Sequence, residues 1–451
     1  MNNYYLKTII KTGVLAISIF FTSFSNGAVL GAASPEGSAE GKIEALKKTV
    51  EQILVEIENL KQQQIKEQNN RTEQEETISK LSRQVETVRQ TEVSKRDHVF
   101  NKFHFGGYGE MHANINLDND KDLFDLHRIV FYAGYDFSDW IKLNSEIEIE
   151  HGFVSDDSGG EVVIEQAAID FMINDAINIR AGRILTPLGI INQKHEPPSF
   201  NGVERPSFAK YIIPSTWSSD GIGIFGSITP TISYEAYVVG GLDGSEFNAK
   251  DGIRKGRIKE RPGLHEPAVT ARLDIHPFLE YLMQNNQLLR LGYSAYFGGL
   301  DNGNNGKNPG VDGDIRIYAA DFEYTIQGLL DFRGETAYEK INMARTIGNQ
   351  TAKDIFGWYL ETGWHFWPES FKQNKLEKSD AVLFIRYDDY DTQYDMPTGV
   401  DRNPEGDRTD WTVGINFYPV PNFVAKMDYQ IREDGTGADE SLLNLGLGWQ
   451  F

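Results

Sequence analysis

From about residue 100 onward, apolar and polar positions alternate. In the last segment Leu443, Leu445, Leu447, Trp449 and Phe451 alternate with Asn444, Gly446, Gly448 and Gln450. Ile141, Leu143, Ile147 and Ile149 stand against Lys142, Asn144, Glu146, Glu148 and Glu150. Trp411, Val413, Ile415 and Phe417 stand against Thr412, Gly414 and Asn416, and Val269, Ala271, Leu273 and Ile275 against Thr270, Arg272 and Asp274. A period of two predicts strands with one apolar face. Sixteen such segments are expected between 103 and 451. The even-numbered ones end mostly in tight turns, such as Ser138–Asp139, Asp175, Pro230, Gln327–Gly328 and Pro419–Val420–Pro421. The odd-numbered ones end mostly in loops rich in Gly, Asn and Asp. Two even-to-odd turns, 277–286 and 367–377, are longer than this rule allows.

A soluble β-sandwich also alternates. Strands a little longer than the ~9–11 residues of a tilted membrane strand, with short turns at one end and long loops at the other, instead predict an all-β, transmembrane antiparallel β-barrel. In lipid no backbone N–H can stay unpaired, so an amphipathic sheet must close on itself. A barrel of this size leaves an aqueous interior. Tyr135, Phe137, Trp140, Trp364, Trp367, Tyr418 and Trp449 lie near strand ends and suit the headgroup girdles.

Before residue 100 the pattern differs. Lys7 and Lys11 precede the apolar run Val14–Phe24, followed by Ser25, Asn26, Gly27 and Ala28. This predicts a secretory signal peptide over 1–28, with cleavage as late as residue 33 as the other choice. The run is too short for a spanning helix, which needs ~20 apolar residues. Over 40–95 a heptad frame holds, with Ile43, Val50, Ile57, Ile78 and Val85 at a and Leu46, Ile53, Leu60, Leu81 and Val88 at d. An N-terminal α-helical coiled coil in the periplasm is expected there, with dimer and trimer both open and a polar middle at 64–74. The barrel is expected over 100–451.

Composition sharpens this. The mean hydropathy of −0.43 argues against a bundle of membrane helices. There is no cysteine, which excludes a disulfide framework, a thiolate metal site, a cysteine nucleophile and a lipoprotein anchor. The formal charge of −22 argues against nucleic acid as a partner. Residues 1–99 carry 13 basic and 13 acidic side chains, so the whole excess falls on the remainder. Part of it lies in outer loops, where divalent cations bridging lipopolysaccharide are the expected counterions.

The longest loop, 187–219, follows the fifth strand. It carries Ile190, Ile191, Phe200, Phe208, Ile212, Ile213 and Trp217 and is too apolar to stand in water. It is expected to fold into the lumen and narrow it; an external cap or a subunit contact is the other reading. Its basic residues Lys194, Arg205 and Lys210 are candidate constriction residues. Alternation places Lys142, Arg180, Arg272, Arg290, Arg333, Arg386, Lys426 and Arg432 as candidate pore-lining cations, and Arg183 is a further candidate. Glu146, Glu148, Glu150, Asp170, Asp274, Asp331, Glu335, Glu361, Asp388 and Asp428 are their acidic counterparts. Charged rings of this kind set ion preference.

At this point the chain resembles the phosphate-selective porin O and P family. The likeness covers about 100–451. It rests on the opening strand Phe103-His-Phe-Gly-Gly-Tyr-Gly-Glu110, on Ile179-Arg-Ala-Gly-Arg183 with Thr186-Pro-Leu-Gly189, and on Val203-Glu-Arg-Pro206 with Ile213-Pro-Ser-Thr-Trp217 and Gly221. The resemblance implies homotrimeric anion channels lined by Arg and Lys and narrowed by a loop. The long loop lacks a dense Lys cluster and the barrel is acidic, two departures from that pattern.

Other chemistry is set aside. His104, His112, His127 and His151 fall on early strands and are not expected to form a metal cluster. Asp301-Asn-Gly-Asn-Asn-Gly306 lacks a calcium loop's ligand pattern. No nucleophile elbow, P-loop or dinucleotide fingerprint occurs, so no cofactor is expected. Ser207 and His195 share the long loop, but nothing in their spacing selects a hydrolase pair. The reading is a passive diffusion channel of the outer membrane for small hydrophilic solutes or ions, phosphate among them, and not an enzyme. The alternative is an envelope tether whose barrel only anchors the stalk.

Overall fold

The computed structural model describes residues 41, 44, 47–62, 102–151, 160–257, 265–301 and 311–451. The chain divides into two units, Met1–Lys95 and Arg96–Phe451. In the first, the described segment 47–62 is a helix with every side chain exposed. It covers part of the expected stalk. The signal peptide and residues 63–95 lie outside the described residues. No helix among the described residues is long and apolar enough to cross a membrane, which says nothing of a barrel.

The second unit is one closed sheet. Its strands are β1 (Phe103–Asn116), β2 (Leu123–Ser138), β3 (Ile141–Glu150), β4 (Glu161–Phe171) and β5 (Asn178–Leu185). There follow β6 (Ser218–Thr229), β7 (Ile232–Gly240), β8 (Pro267–Ile275), β9 (Gln287–Gly299), β10 (Asp314–Ile326) and β11 (Leu330–Asn342). The last are β12 (Asp354–His365), β13 (Asp380–Asp395), β14 (Asp407–Val420), β15 (Phe423–Asp434) and β16 (Asp439–Gln450). Each strand pairs antiparallel with its sequence neighbours, and β1 pairs with β16 to close the ring.

The count and order are those the alternation predicts. The two long turns have their own structure. Residues 277–286 hold a short helix, Leu279–Gln284, entered through Phe278 with φ 55. Residues 367–377 hold the 3₁₀ turns Glu369–Phe371 and Asn374–Leu376. Each fills a wide turn without adding a strand.

The side chains follow the period. Val269, Trp411, Val413, Leu445 and Leu447 face outward and are exposed, as a lipid-contacting face requires. Phe137, Trp140 and Trp364 are exposed near strand ends. Inward-facing neighbours such as Glu148, Arg272, Arg386, Asp388 and Asn444 are buried. Burial inside a barrel this wide needs something in the lumen, and that is the β5–β6 loop.

Candidate functional site

The loop leaves β5 through Thr186 and Leu188 and returns at Trp217. Its entry turns at Gly189, with φ 72, where a Cβ would collide with the Glu335 carboxylate of β11. Glycine alone admits both the positive φ and the close approach. The next residue, Ile190, donates its N–H to Glu335 Oε2 at 3.2 Å. The loop is pinned to itself by Asn192, which donates to the Thr186 carbonyl at 2.6 Å and accepts from the Trp217 N–H at 2.8 Å.

From there it crosses the lumen. Loop groups meet inward-facing residues of β1, β2, β3, β4, β8 and every strand from β10 to β15. On one side, Asn201 donates to Glu361 at 2.9 Å and accepts from Asn416 at 2.7 Å. The Phe208 N–H reaches Asp388 at 3.1 Å, and the Ser207 hydroxyl donates to Asp410. Arg386 donates to the carbonyls of Asn201 and Glu204, and Lys426 to those of Phe200 and Gly202. Arg333 donates to the Ser199 carbonyl at 3.0 Å, and Lys194 pairs with Glu323 at 2.6 Å.

A chain of bonds also runs across the closing seam. Val203 N–H bonds Asp428 on β15, Asp428 bonds Asn444 on β16, Asn444 bonds Asn114 on β1, and Asn114 bonds Glu204.

An apolar core supports these bonds. Leu188, Phe208, Ile212, Ile213 and Trp217 pack with Ile315, Ile317, Ile341, Ile355 and Tyr359 from β10–β12, and with Leu242, Phe247 and Ile253 from the β7–β8 loop. Each large side chain so buried contributes roughly 1.5–3 kcal/mol, against about 1–2 kcal/mol for fixing each residue's backbone.

The candidate cations are therefore distributed unevenly. Arg180 pairs with Asp170; Arg272 and Arg290 share Asp274 and Asp321; Arg333 faces Glu361; Arg386 lies between Glu361 and Asp388. Lys142 stands at the terminal end of β3. The structure does bring Arg183, Arg205 and Lys210 together, around a cavity of about 140 Å³ beside the loop. It adds Arg128, Arg254 and Arg257 to them, and sets Glu148, Glu150, Glu161 and Glu165 on the wall opposite.

Two of these cations are neutralised: Arg128 by Glu110, Glu148 and Glu150, and Arg183 by Asp220. The other four have no carboxylate partner among the described residues. Arg205 donates to Ser215 Oγ and the His195 carbonyl, both at 3.1 Å. Arg257 donates to the carbonyls of Arg254 and Ser215. Lys210 lies 5.5 Å from the Tyr211 ring and also lines a second cavity toward the ends of β13–β16 away from the chain termini. Arg254 and Arg257 were out of reach of the pattern, because their segment, 241–265, reads as an ordinary outer loop. Arg128 was within reach through the alternation on β2.

The histidines depart from expectation. His112 and His127 stack at 4.5 Å between centroids, and His151 meets His127 edge-on at 5.0 Å with Asp125 beside both. Neighbouring strands supply this cluster, which no single-strand spacing reveals; His104 stays apart with Asp136. His195 and Ser207 each have carboxylate partners: Glu146 and Glu165 for the first, Asp410 for the second. Burial acts to lower the His195 pKa, but the Glu146 and Glu165 carboxylates, 3.3 and 3.6 Å away, outweigh it and carry it up to about 10. The Asp301 loop continues outside the described residues.

The family described as phosphate-selective porin O and P matches residues 105–441. An uncharacterised protein of Aquifex aeolicus is 33% identical over 363 residues, covering 77% of this chain and 79% of its own. Among solved structures, OmpF of Salmonella typhi in complex with daunomycin is similar in fold, at 10% identity and a TM-score of 0.51, covering 77% of this chain and 97% of that one. The outer membrane channel DcaP of Acinetobacter baumannii has 13% identity and a TM-score of 0.48, with the same coverage.

Proposed function

Because this chain belongs to the phosphate-selective porin O and P family, we propose that it is a passive diffusion channel of the bacterial outer membrane with a bias toward small anions, phosphate included. The observation that carries the reading is the group of four cations, Arg205, Lys210, Arg254 and Arg257, beside the cavity without carboxylate partners among the described residues. Four acids line the same cavity, Glu148, Glu150, Glu161 and Glu165, but six basic side chains outnumber them there, and Glu148 and Glu150 are engaged by Arg128. A solute passes from the wide end along Lys210, which lines both cavities, to the narrow space beside the loop. There, fixed charges replace part of its hydration.

The same reading holds that the chain assembles as a homotrimer, surrounded by outer-membrane lipid and lipopolysaccharide. Residues 1–28 direct export and 40–95 form a periplasmic coiled coil. The a and d residues Val50, Ile53, Ile57 and Leu60 are each about half exposed on the described helix, as a seam awaiting a partner helix would be. Ile53→Asp with Ile57→Asp is expected to abolish self-association of the 40–95 peptide in sedimentation equilibrium. An unchanged mass would remove the coiled coil.

Reversal potential in a planar bilayer under a salt gradient tests the channel. The wild type should give an anion-directed potential, and added phosphate should block the chloride current. Lys210→Glu with Arg254→Glu should drive the potential through zero to the cation side. A cation-directed wild type would end the anion reading and keep the channel. Absence of discrete current steps would end both.

A further inference from the structure

Beneath the loop, three ligand-bearing side chains converge from three elements: Glu146 of β3, Glu165 of β4 and His195 of the loop. All are buried, and their donor atoms lie within 4.8 Å of one another. We propose that they form a binding site for a divalent first-row transition metal of the zinc type, clamping the loop to the wall beside the cavity.

The first support is geometric. His195 Nε2 lies 3.3 Å from Glu146 Oε1 and 3.6 Å from Glu165 Oε2. Donors held at about 2.0–2.2 Å from a tetrahedral ion stand about 3.3–3.6 Å apart. The second is the orientation of the ligands. His195 Nδ1 lies 3.3 Å from the Asn192 carbonyl, so its N–H donates there and Nε2 faces the carboxylates. A metal-bound histidine is usually fixed by such a bond on its other nitrogen. Glu146 is fixed likewise: Gln166 donates to its Oε2 at 2.6 Å, leaving Oε1 for the site.

The third support is an unmet demand. Glu165 is 1% exposed, and neither of its oxygens has a hydrogen bond; the Tyr108 hydroxyl, buried against the His195 ring, also has none. A buried carboxylate without hydrogen bonds is costly unless a cation meets it. A protonated His195 at 3.6 Å supplies that charge when no ion is bound, and a divalent ion would take its place with release of the imidazole proton. Two carboxylates and a neutral imidazole balance a divalent ion, and one imidazole with two oxygens suits zinc better than calcium or magnesium. Glu165 also lines the cavity, which gives the ion a path and leaves room for a water as fourth ligand.

The test uses the full-length protein folded in detergent micelles and stripped with a chelator. Zinc is titrated in competition with a chromophoric chelator. One ion per chain is expected, and Glu165→Gln and His195→Gln should each weaken binding about 100-fold or more. His104→Ala, at an exposed histidine, should leave it unchanged. Heat-modifiable migration checks that each variant is folded. Cobalt supplies a second readout: an intense visible spectrum in the wild type, lost in Glu165→Gln. Zinc that is lost with His151→Ala but kept with Glu165→Gln would belong to the Asp125–His127–His151 cluster and would overturn the proposal. No binding by the wild type would do the same. Neither result bears on ion selectivity, which is measured separately.

Discussion

Replacing residues 190–213 with a short Gly-Ser link should raise single-channel conductance several-fold and erase ion selectivity. The strands are closed on themselves without the loop, since every ladder from β1 through β16 is made between strands. A sixteen-stranded ring leaves a water-filled bore when nothing occupies it. The loop occupies it by reaching the inner faces of β10 through β15 on one side and β1 through β4 on the other. Removing it also removes Arg205 and Lys210 and frees the acids that bound it, notably Glu361, Asp388, Asp410 and Asp428. The widened pore should therefore lose anion bias, or favour cations. Folding is checked by heat-modifiable migration. A conductance equal to that of the wild type would mean that ions take a route the loop does not narrow.

Arg386→Ala should undock the same loop without deleting it. Arg386 is 1% exposed. It faces Glu361 and Asp388 and donates to the carbonyls of Asn201 and Glu204. Its loss leaves two buried acids facing each other and two carbonyls unpaired. Breaking one partner of a buried pair costs about 3–5 kcal/mol. The exposed pair Arg316–Asp314 sets the scale for comparison: Arg316→Ala should change stability by less than about 1 kcal/mol. The readouts are protease cleavage within 195–212 and open-channel current noise. Both should rise in Arg386→Ala and stay at wild-type level in Arg316→Ala. Equal behaviour of the two variants would place the loop's stability in its apolar core alone.

The barrel was legible because its physics is local. A strand with lipid on one side must alternate, and Leu443 through Phe451 alternate whatever their neighbours are. The inward fold of the 187–219 loop was legible for a related reason: Ile190, Phe208, Ile213 and Trp217 cannot all remain in water. What the chain pattern hides is pairing between strands. Arg272 and Arg290 read as lumen cations, but the registers β8–β9 and β9–β10 deliver Asp274 and Asp321 to them. The stacking of His112 on His127 likewise depends on the register shift opposite Glu110/Met111, where His127 of β2 is the extra, unpaired residue. Arg254 and Arg257 escaped because the β7–β8 loop is also drawn inward, by Leu242, Phe247 and Ile253.

The bonds across the seam have a consequence for how the protein comes into being. Asn114 and Asn444 are 330 positions apart, and contacts so distant form late. Val203 and Glu204 grip β15 and β1 on either side of that last junction. Sealing the wall, which the β1–β16 ladder can do alone, and stoppering the bore are therefore coupled in this chain. A ring that shut around an empty centre would be a leak in the envelope, whereas here the final strand pairing and the stopper reinforce each other. An assembly intermediate of this protein should be either open-edged or fully closed around its loop, with little of the leaky form between.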